Sequence, residues 1–395
     1  MSKIDSISSR VKSSGAGRIP FVLAFTVAAF LASGAVYGAR PKPAPDINAA
    51  VCTSISGVWA PHLCTILAGS NGVASTDFKI PKGNTLDVKG SLTVNADVTI
   101  TNSGAIVVEN TAGVIPTEFN DGSLMAGILT LGTIENSGTI TIQNASPDTA
   151  GIAISVTVSD NPSGPNPLLV LPGVLTNSGV VTIRNSGASQ GINNLGTLEN
   201  AAAGTIAIAN SLTDSVGIRN RRDDTLGSQY YIIGTMTNAG RITVANTGDG
   251  DSRGISNSGS FTNSPTGTFT INASTVSDVL AFGFRNNGSF TNFGTFVNNR
   301  GSYNKDTPAD GTWGSYNIGM MVNYGRTFGG TSAQRTGTFF AEGFMINLGE
   351  ITSYGLFYDM SGMMANFATF YNYGLIVGGG NLGICLDEPG SFGGC

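Results

Sequence analysis

The chain has 395 residues, with 20 Lys and Arg against 25 Asp and Glu, a formal charge of −5, and charged residues make up only 11% of it. With 41% hydrophobic residues, this composition excludes an intrinsically disordered chain, which is too polar to offset the entropy cost of ordering. After Lys89 the only lysine is Lys305, so the clustered positive charge that nucleic-acid binding needs is missing.

The first predicted element is an export signal over residues 1–39. Lys3, Arg10, Lys12 and Arg18 form a basic leader, and Ile19 to Ala39 carries no charge. The stretch "FLASGAVYGA" offers small residues for a signal peptidase, with cleavage after Ala35 or near Gly38. The apolar run is also about long enough to span a bilayer, so an uncleaved anchor is the alternative. Loss of residues 1–39 removes four basic residues and one acidic residue, and takes the formal charge from −5 to −8.

Residues 40–80 read as an N-terminal arm and cap carrying Cys52 and Cys64, and residues 381–395 as a tail carrying Cys385 and Cys395. An even cysteine count in an exported chain points to disulfides. Two readings stay open: one local bond closing each end, or a bond from the end of one subunit to the start of the next. The prolines of "ARPKPAPDINAAV" (39–51) predict an extended segment able to add as a strand to a neighbour's sheet edge.

Between these ends, residues 81–380 repeat. "GTIENSGTITIQN" (132–144), "GVLTNSGVVTIRN" (173–185), "GTLENAAAGTIAIAN" (196–210), "GTMTNAGRITVAN" (234–246), "GSFTNSPTGTFTIN" (259–272) and "GSFTNFGTFVNN" (288–299) align with one another. Most follow a shorter pulse such as "GINNL" or "GISNS". The pulses are too short for helices and alternate apolar with polar residues, so they read as strands. Glycine and asparagine between them suit sharp corners, where a left-handed backbone is tolerated. Three strands per unit cannot bury an apolar face alone, so the units must stack. The predicted fold is all-β, a right-handed parallel β-helix of about ten three-strand coils, the first built from residues 85–110. Insertions are expected at 159–167, 221–231 and 303–317. Asparagines at equivalent corners predict a stacked amide ladder of Asn136, Asn177, Asn200, Asn238, Asn263 and Asn292. Asn144, Asn272 and Asn287 also open glycosylation sequons. Thirteen of the twenty phenylalanines lie from Phe282 onward, which predicts a bulkier core or a sticky end in the last third.

Parallel β-helices also carry polysaccharide lyases and hydrolases, whose sites need paired carboxylates with a basic partner. The candidates are Asp249, Asp251 and Arg253 in "TGDGDSRG", Asp306 and Asp310 in an insertion, and Arg219 and Arg285 at one repeat position with Ser256 between them. They form no acidic column, and the predicted role of these charges is a solvated corner. His62 is the one histidine and has no evident partner. No catalytic residue, cofactor or metal is predicted.

The units "GTIENSGTITIQN" and "GSFTNSPTGTFTIN" resemble the repeats of secreted bacterial β-helix adhesins of the filamentous-haemagglutinin and autotransporter-passenger type. The likeness is one of repeat style over about residues 80–375. It implies a surface-exposed scaffold that binds cells, surfaces or its own copies. The departures are that the sequence shows no C-terminal membrane barrel and no sortase motif. The expectation is a secreted, extracellular or cell-surface structural protein without enzymatic activity. It self-assembles into or decorates a filament, sheath or adhesive surface, with its own copies, a surface polysaccharide or a host ligand as partner. A carbohydrate-active enzyme on the same fold is the alternative.

Overall fold

A strand of the form Thr133-Ile134-Glu135-Asn136 puts Ile134 on one face and its neighbours on the other, because successive side chains point to opposite faces. Ile134 is 1% exposed, and the same pattern repeats along the chain. The computed structural model describes residues 43–110, 125–144, 149–160, 168–185, 190–211, 215–223, 232–246, 253–273 and 282–299, and then separate strands between Trp313 and Asp387. The strands sort into three long sheets of 11, 14 and 12 strands. We call these sheets I, II and III, after the order in which one coil visits them: Thr133–Asn136, then Thr139–Asn144, then Thr149–Ile154. Each strand pairs in parallel with its equivalents one coil below and above, as Ile100↔Ile134↔Leu175↔Leu198 do in sheet I. The fold is therefore a parallel β-solenoid.

Its core is built from columns. Ile100, Ile134, Leu175, Leu198, Met236, Phe261, Phe290, Met321 and Met345 stack through sheet I, and every one of them is buried. The aliphatic columns turn aromatic in all three sheets over the same coils. Phe290 sits with its ring centroid 4.9 Å from Phe261, 4.9 Å from Phe284 and 5.3 Å from Phe296.

Two boundaries shift. The solenoid begins earlier than residue 85. Leu63–Ile66, Asn71–Ala74 and Phe78–Ile80 already form one coil, pairing with the strands of the next. Residues 63–80 belong to the stack because Cys64, Ile66 and Ile80 continue its buried columns. The 303–317 insertion also ends sooner: Trp313–Asn317 pairs with Phe282–Asn286 as a rung of sheet III, and 303–312 lies outside the described residues. The other two insertions are flanked by antiparallel hairpin strands, Val156–Asp160 with Leu168–Pro172 and Arg222–Asp223 with Ile232–Ile233.

The glycines have a different reason from the one expected. Among the described glycines only Gly69 and Gly83 have positive φ, at 75° and 89°. The repeat glycines are required by close approach instead. A Cβ on Gly240 would lie 2.2 Å from the carbonyl oxygen of Gly204 in the coil below.

The N-terminal end is closed by the chain itself. Asn48 caps the helix Ala49–Ser54, its Oδ1 accepting from the N–H groups of Ala50 at 2.9 Å and Val51 at 3.1 Å. Ile47 and Ile55 bury against the core. Gly57–Ala60 pairs antiparallel with the lowest rung of sheet II. Ile47 N–H donates to Lys79 O at 2.7 Å and Lys79 N–H to Pro45 O at 2.8 Å, which covers the edge of sheet I. Residues 45–54 are thus committed to their own core. The extended segment expected over 39–51 gives way to a helix from Ala49 onward, and Ile47 is buried in the chain's own core. The Cys52–Cys64 disulfide ties the helix to the first rung, and both cysteines are fully buried. The signal segment 1–39 and Cys395 lie outside the described residues, and Cys385 is described only as backbone, aligned with Phe370.

Because the coils are in contact at the repeat glycines, Gly240→Ala should lower the unfolding free energy by about 1–3 kcal/mol, an overpacking cost. Urea denaturation checks this. A midpoint equal to that of the wild type would show that the coils are not packed as described.

Candidate functional site

Each described sheet I strand after Phe78–Ile80 ends in asparagine, which therefore falls at the same corner of coil after coil. The corner that follows consists of two residues, as in Ser137-Gly138, or four, as in Ala201 to Gly204. Register brings the side chains into line. Nδ2 of Asn102 donates to Oδ1 of Asn136 at 2.7 Å, Asn136 to Asn177 at 2.7 Å, and Asn177 to Asn200 at 2.8 Å. Asn200, Asn238, Asn263, Asn292 and Asn323 continue in the same sense to Asn347, each at 2.8 Å. The second Nδ2 hydrogen is used as well. It reaches the carbonyl that opens the next coil's sheet II strand, as from Asn177 to Thr205 O at 3.2 Å and from Asn263 to Thr295 O at 3.1 Å. All six asparagines named from the sequence stand in this ladder, and Asn102, Asn323 and Asn347 extend it.

A second ladder was missed by sequence reasoning. Asn194, Asn220, Asn257 and Asn286 end the sheet III strands and link at 2.8, 2.7 and 2.7 Å. The signal was present in the short pulses "GINNL" and "GISNS", which were aligned only as preludes to the longer repeat. A third column, Asn110, Asn144, Asn185, Asn210 and Asn246, shares register at the end of sheet II. Each of the three sheets thus has a run of consecutive strands that end in asparagine.

The ladders have a direction, and each has an orphan at its lower end. Oδ1 of Asn102 and Oδ1 of Asn194 are buried and accept no hydrogen bond. Below them in register stand Ile80 and Ile154, which have no amide to donate. A buried acceptor left alone costs on the order of 1–3 kcal/mol.

The outer faces carry the remaining polar groups. On sheet I, Thr101, Glu135, Thr176, Glu199, Thr237, Thr262 and Thr291 form one outward column. Glu135 and Glu199 stand two rungs apart on it, an acidic pair that the sequence reading did not align. Thr101 Oγ1 donates to Glu135 at 3.3 Å and Thr176 Oγ1 to Glu199 at 3.5 Å. On sheet III, Arg219, Ser256 and Arg285 share a column, as their repeat positions imply. Arg253 is half-buried on the neighbouring column. Asp249, Asp251, Asp306 and Asp310 lie outside the described residues. On sheet II, Lys89 bridges Asp87 and Glu109; the hydrogen bond its ammonium donates to the Glu109 carboxylate raises its pKa above the usual lysine value. Among the described residues no three His, Cys, Asp or Glu side chains come together as a metal site. His62 has a partner after all: its Nδ1 lies 2.8 Å from Asn84 Oδ1, because the stacking of coils brings together residues 22 apart. Of the sequon asparagines, Asn272 and Asn287 are exposed, and the side chain of Asn144 is not described.

No family model, no curated protein and no solved structure matches the chain.

The ladder makes a direct prediction. In Asn200→Leu, Nδ2 of Asn177 loses its acceptor and Oδ1 of Asn238 loses its donor. The expected loss is about 1–3 kcal/mol for each orphaned group. Thermal or urea unfolding reads it, and a loss below about 0.5 kcal/mol would mean the amides do not hold the coils together.

Proposed function

We propose that the chain is an exported structural solenoid that forms or decorates an extracellular filament, sheath or adhesive surface. The observation that carries this reading is where the buried polar groups are spent. In two ladders, of nine and four asparagines among the described residues, the amides bind the next coil rather than converge on a ligand. Such an interior makes a rod whose sides are free to display regular columns of side chains. The Cys52–Cys64 bond adds support, since disulfides persist in oxidising compartments. It also ties the cap to the rod.

The competing reading is a carbohydrate-active enzyme, and Glu135 with Glu199 is the observation that favours it. A glycosidase needs two carboxyl groups at a defined separation, one of them shifted in pKa so that it can act as the acid. Here both glutamates are exposed on an outward sheet face. That environment suits solvated charge better than general-acid catalysis, so the scaffold reading is preferred.

Cell fractionation with thiol trapping tests the proposal. The chain should be recovered outside the cytoplasm with Cys52 and Cys64 protected from alkylation, and the purified chain should not degrade pectin, alginate or hyaluronan. Cytoplasmic recovery with both thiols alkylated would contradict the export reading. Turnover that is lost in Glu135→Gln or Glu199→Gln would replace the scaffold with an enzyme.

A further inference from the structure

The outer face of sheet I changes character along the rod. Over the coils from Thr99 to Thr291 its two outward columns are mostly Thr and Ser with Glu135 and Glu199. In the next two rungs Met320 stands on the first of these columns, and Val322 and then Ile346 on the second. The corner residue after the ladder asparagine changes in parallel, from Ser137, Ser178 and Ala239 to Phe293 and Leu348. The change leaves apolar side chains in water: Phe293 is 41% exposed, Met320 45% and Leu348 42%. Scattered apolar residues on a surface are ordinary, but a contiguous cluster marks a contact surface.

The rim of this patch indicates what covers it. Arg326 opens the sheet II strand of the Met320 coil, and Glu350 opens that of the Phe344 coil. They are neighbours in register, with Arg326 Nε 3.5 Å from a Glu350 carboxylate oxygen, and the arginine side chain is 66% exposed. One positive and one negative group on adjacent rungs of one edge make a self-complementary pair. A two-fold axis along the strands, passing between the rungs Met320–Asn323 and Phe344–Asn347, sets Arg326 opposite Glu350 of a second copy and Glu350 opposite its Arg326. The same axis sets Val322 opposite Ile346. Residue i meeting j while j meets i is the signature of an isologous contact.

We propose that this face of sheet I is a homodimer interface, in which two copies of the chain pack antiparallel through the Met320–Leu348 coils, with Arg326 and Glu350 bridging across. The choice of a second copy as occupant rests on the scaffold reading and deepens it, because self-association by the sides needs no open rod end. Pairing by the sides also leaves the N-terminal cap undisturbed. Two rungs and a corner ridge form a small interface. It belongs to the weak, concentration-dependent class, with dissociation in the range of roughly 10–100 μM.

Sedimentation velocity of the purified chain from about 1 to 300 μM tests this. A monomer–dimer equilibrium is expected, abolished by Leu348→Glu or Met320→Glu with an unchanged thermal transition. Arg326→Glu alone and Glu350→Arg alone should each weaken the dimer at least tenfold. An equimolar mixture of these two variants should restore it, since opposite charges again face each other across the axis. A chain monomeric at all concentrations, or association unaffected by Leu348→Glu, would overturn the interface. So would a mixture no better than either variant alone, which would reduce the patch to unspecific stickiness. Binding to neutral phosphatidylcholine vesicles by a monomeric chain, lost in Leu348→Glu, would give the face to lipid instead. A monomeric chain still recovered in the extracellular fraction would remove this interface and leave the scaffold reading standing.

Discussion

Everything in this molecule depends on one spacing, the distance of about 4.8 Å between hydrogen-bonded strands in a sheet. A solenoid works only if each coil repeats its neighbour's geometry at that spacing in all three sheets at once. Asparagine enforces this at the corners. Its side chain has one acceptor and two donor hydrogens, and the ladder amides use them for the neighbouring amide on each side and a carbonyl of the next coil. No aliphatic side chain can do this, and serine or threonine has too few donors. The cost is directionality. A ladder of amides that all donate one way must begin with an unused acceptor, and Asn102 and Asn194 hold that position.

The same constraint divides the surface into fixed and variable parts. The junction from sheet I to sheet II admits two or four residues, because its glycine lies against the carbonyl of the coil below and its asparagine is tied above and below. The junctions at the ends of sheet III vary more in length. Residues 111–124, 145–148, 186–189 and 274–281 all fall between a sheet II strand and the following sheet III strand, and the two antiparallel hairpins fall after sheet III. In stacked-repeat proteins insertions collect on the face that can accept them without breaking the stack. The second ladder starts only above Ile154, after which the longer hairpin insertion leaves the coil.

Much of this was legible in the sequence for a physical reason. A parallel solenoid repeats its contacts at fixed sequence intervals, so alternation, punctuating glycine and recurrent asparagine all register as periodicity. That is why the strand order and the corner of Asn136, Asn177 and Asn200 could be read off aligned repeats. Features that occur once were not legible. The helix Ala49–Ser54 is too short to show a period. His62 meets Asn84 only because one coil separates them. The glycines were assigned to left-handed turns because a sequence shows that glycine is needed but not whether φ or an approaching carbonyl requires it. Met320 and Leu348 look like core residues by composition. Only their place relative to the ladder asparagine puts them outside: the core takes the residue two before it, such as Met321, and the surface takes the residues three before and one after.

The central claim is that neighbouring ladder amides are energetically coupled and hold the coils as one unit. A double-mutant cycle on Asn200→Ala and Asn238→Ala, followed by urea unfolding, tests it most directly. Neighbours in a shared network should show a coupling energy of about 0.5–3 kcal/mol, while the remote pair Asn102→Ala and Asn292→Ala should add to within about 0.5 kcal/mol. Simple additivity for Asn200 and Asn238 would contradict the account, because it would reduce the ladder to asparagines that happen to line a turn.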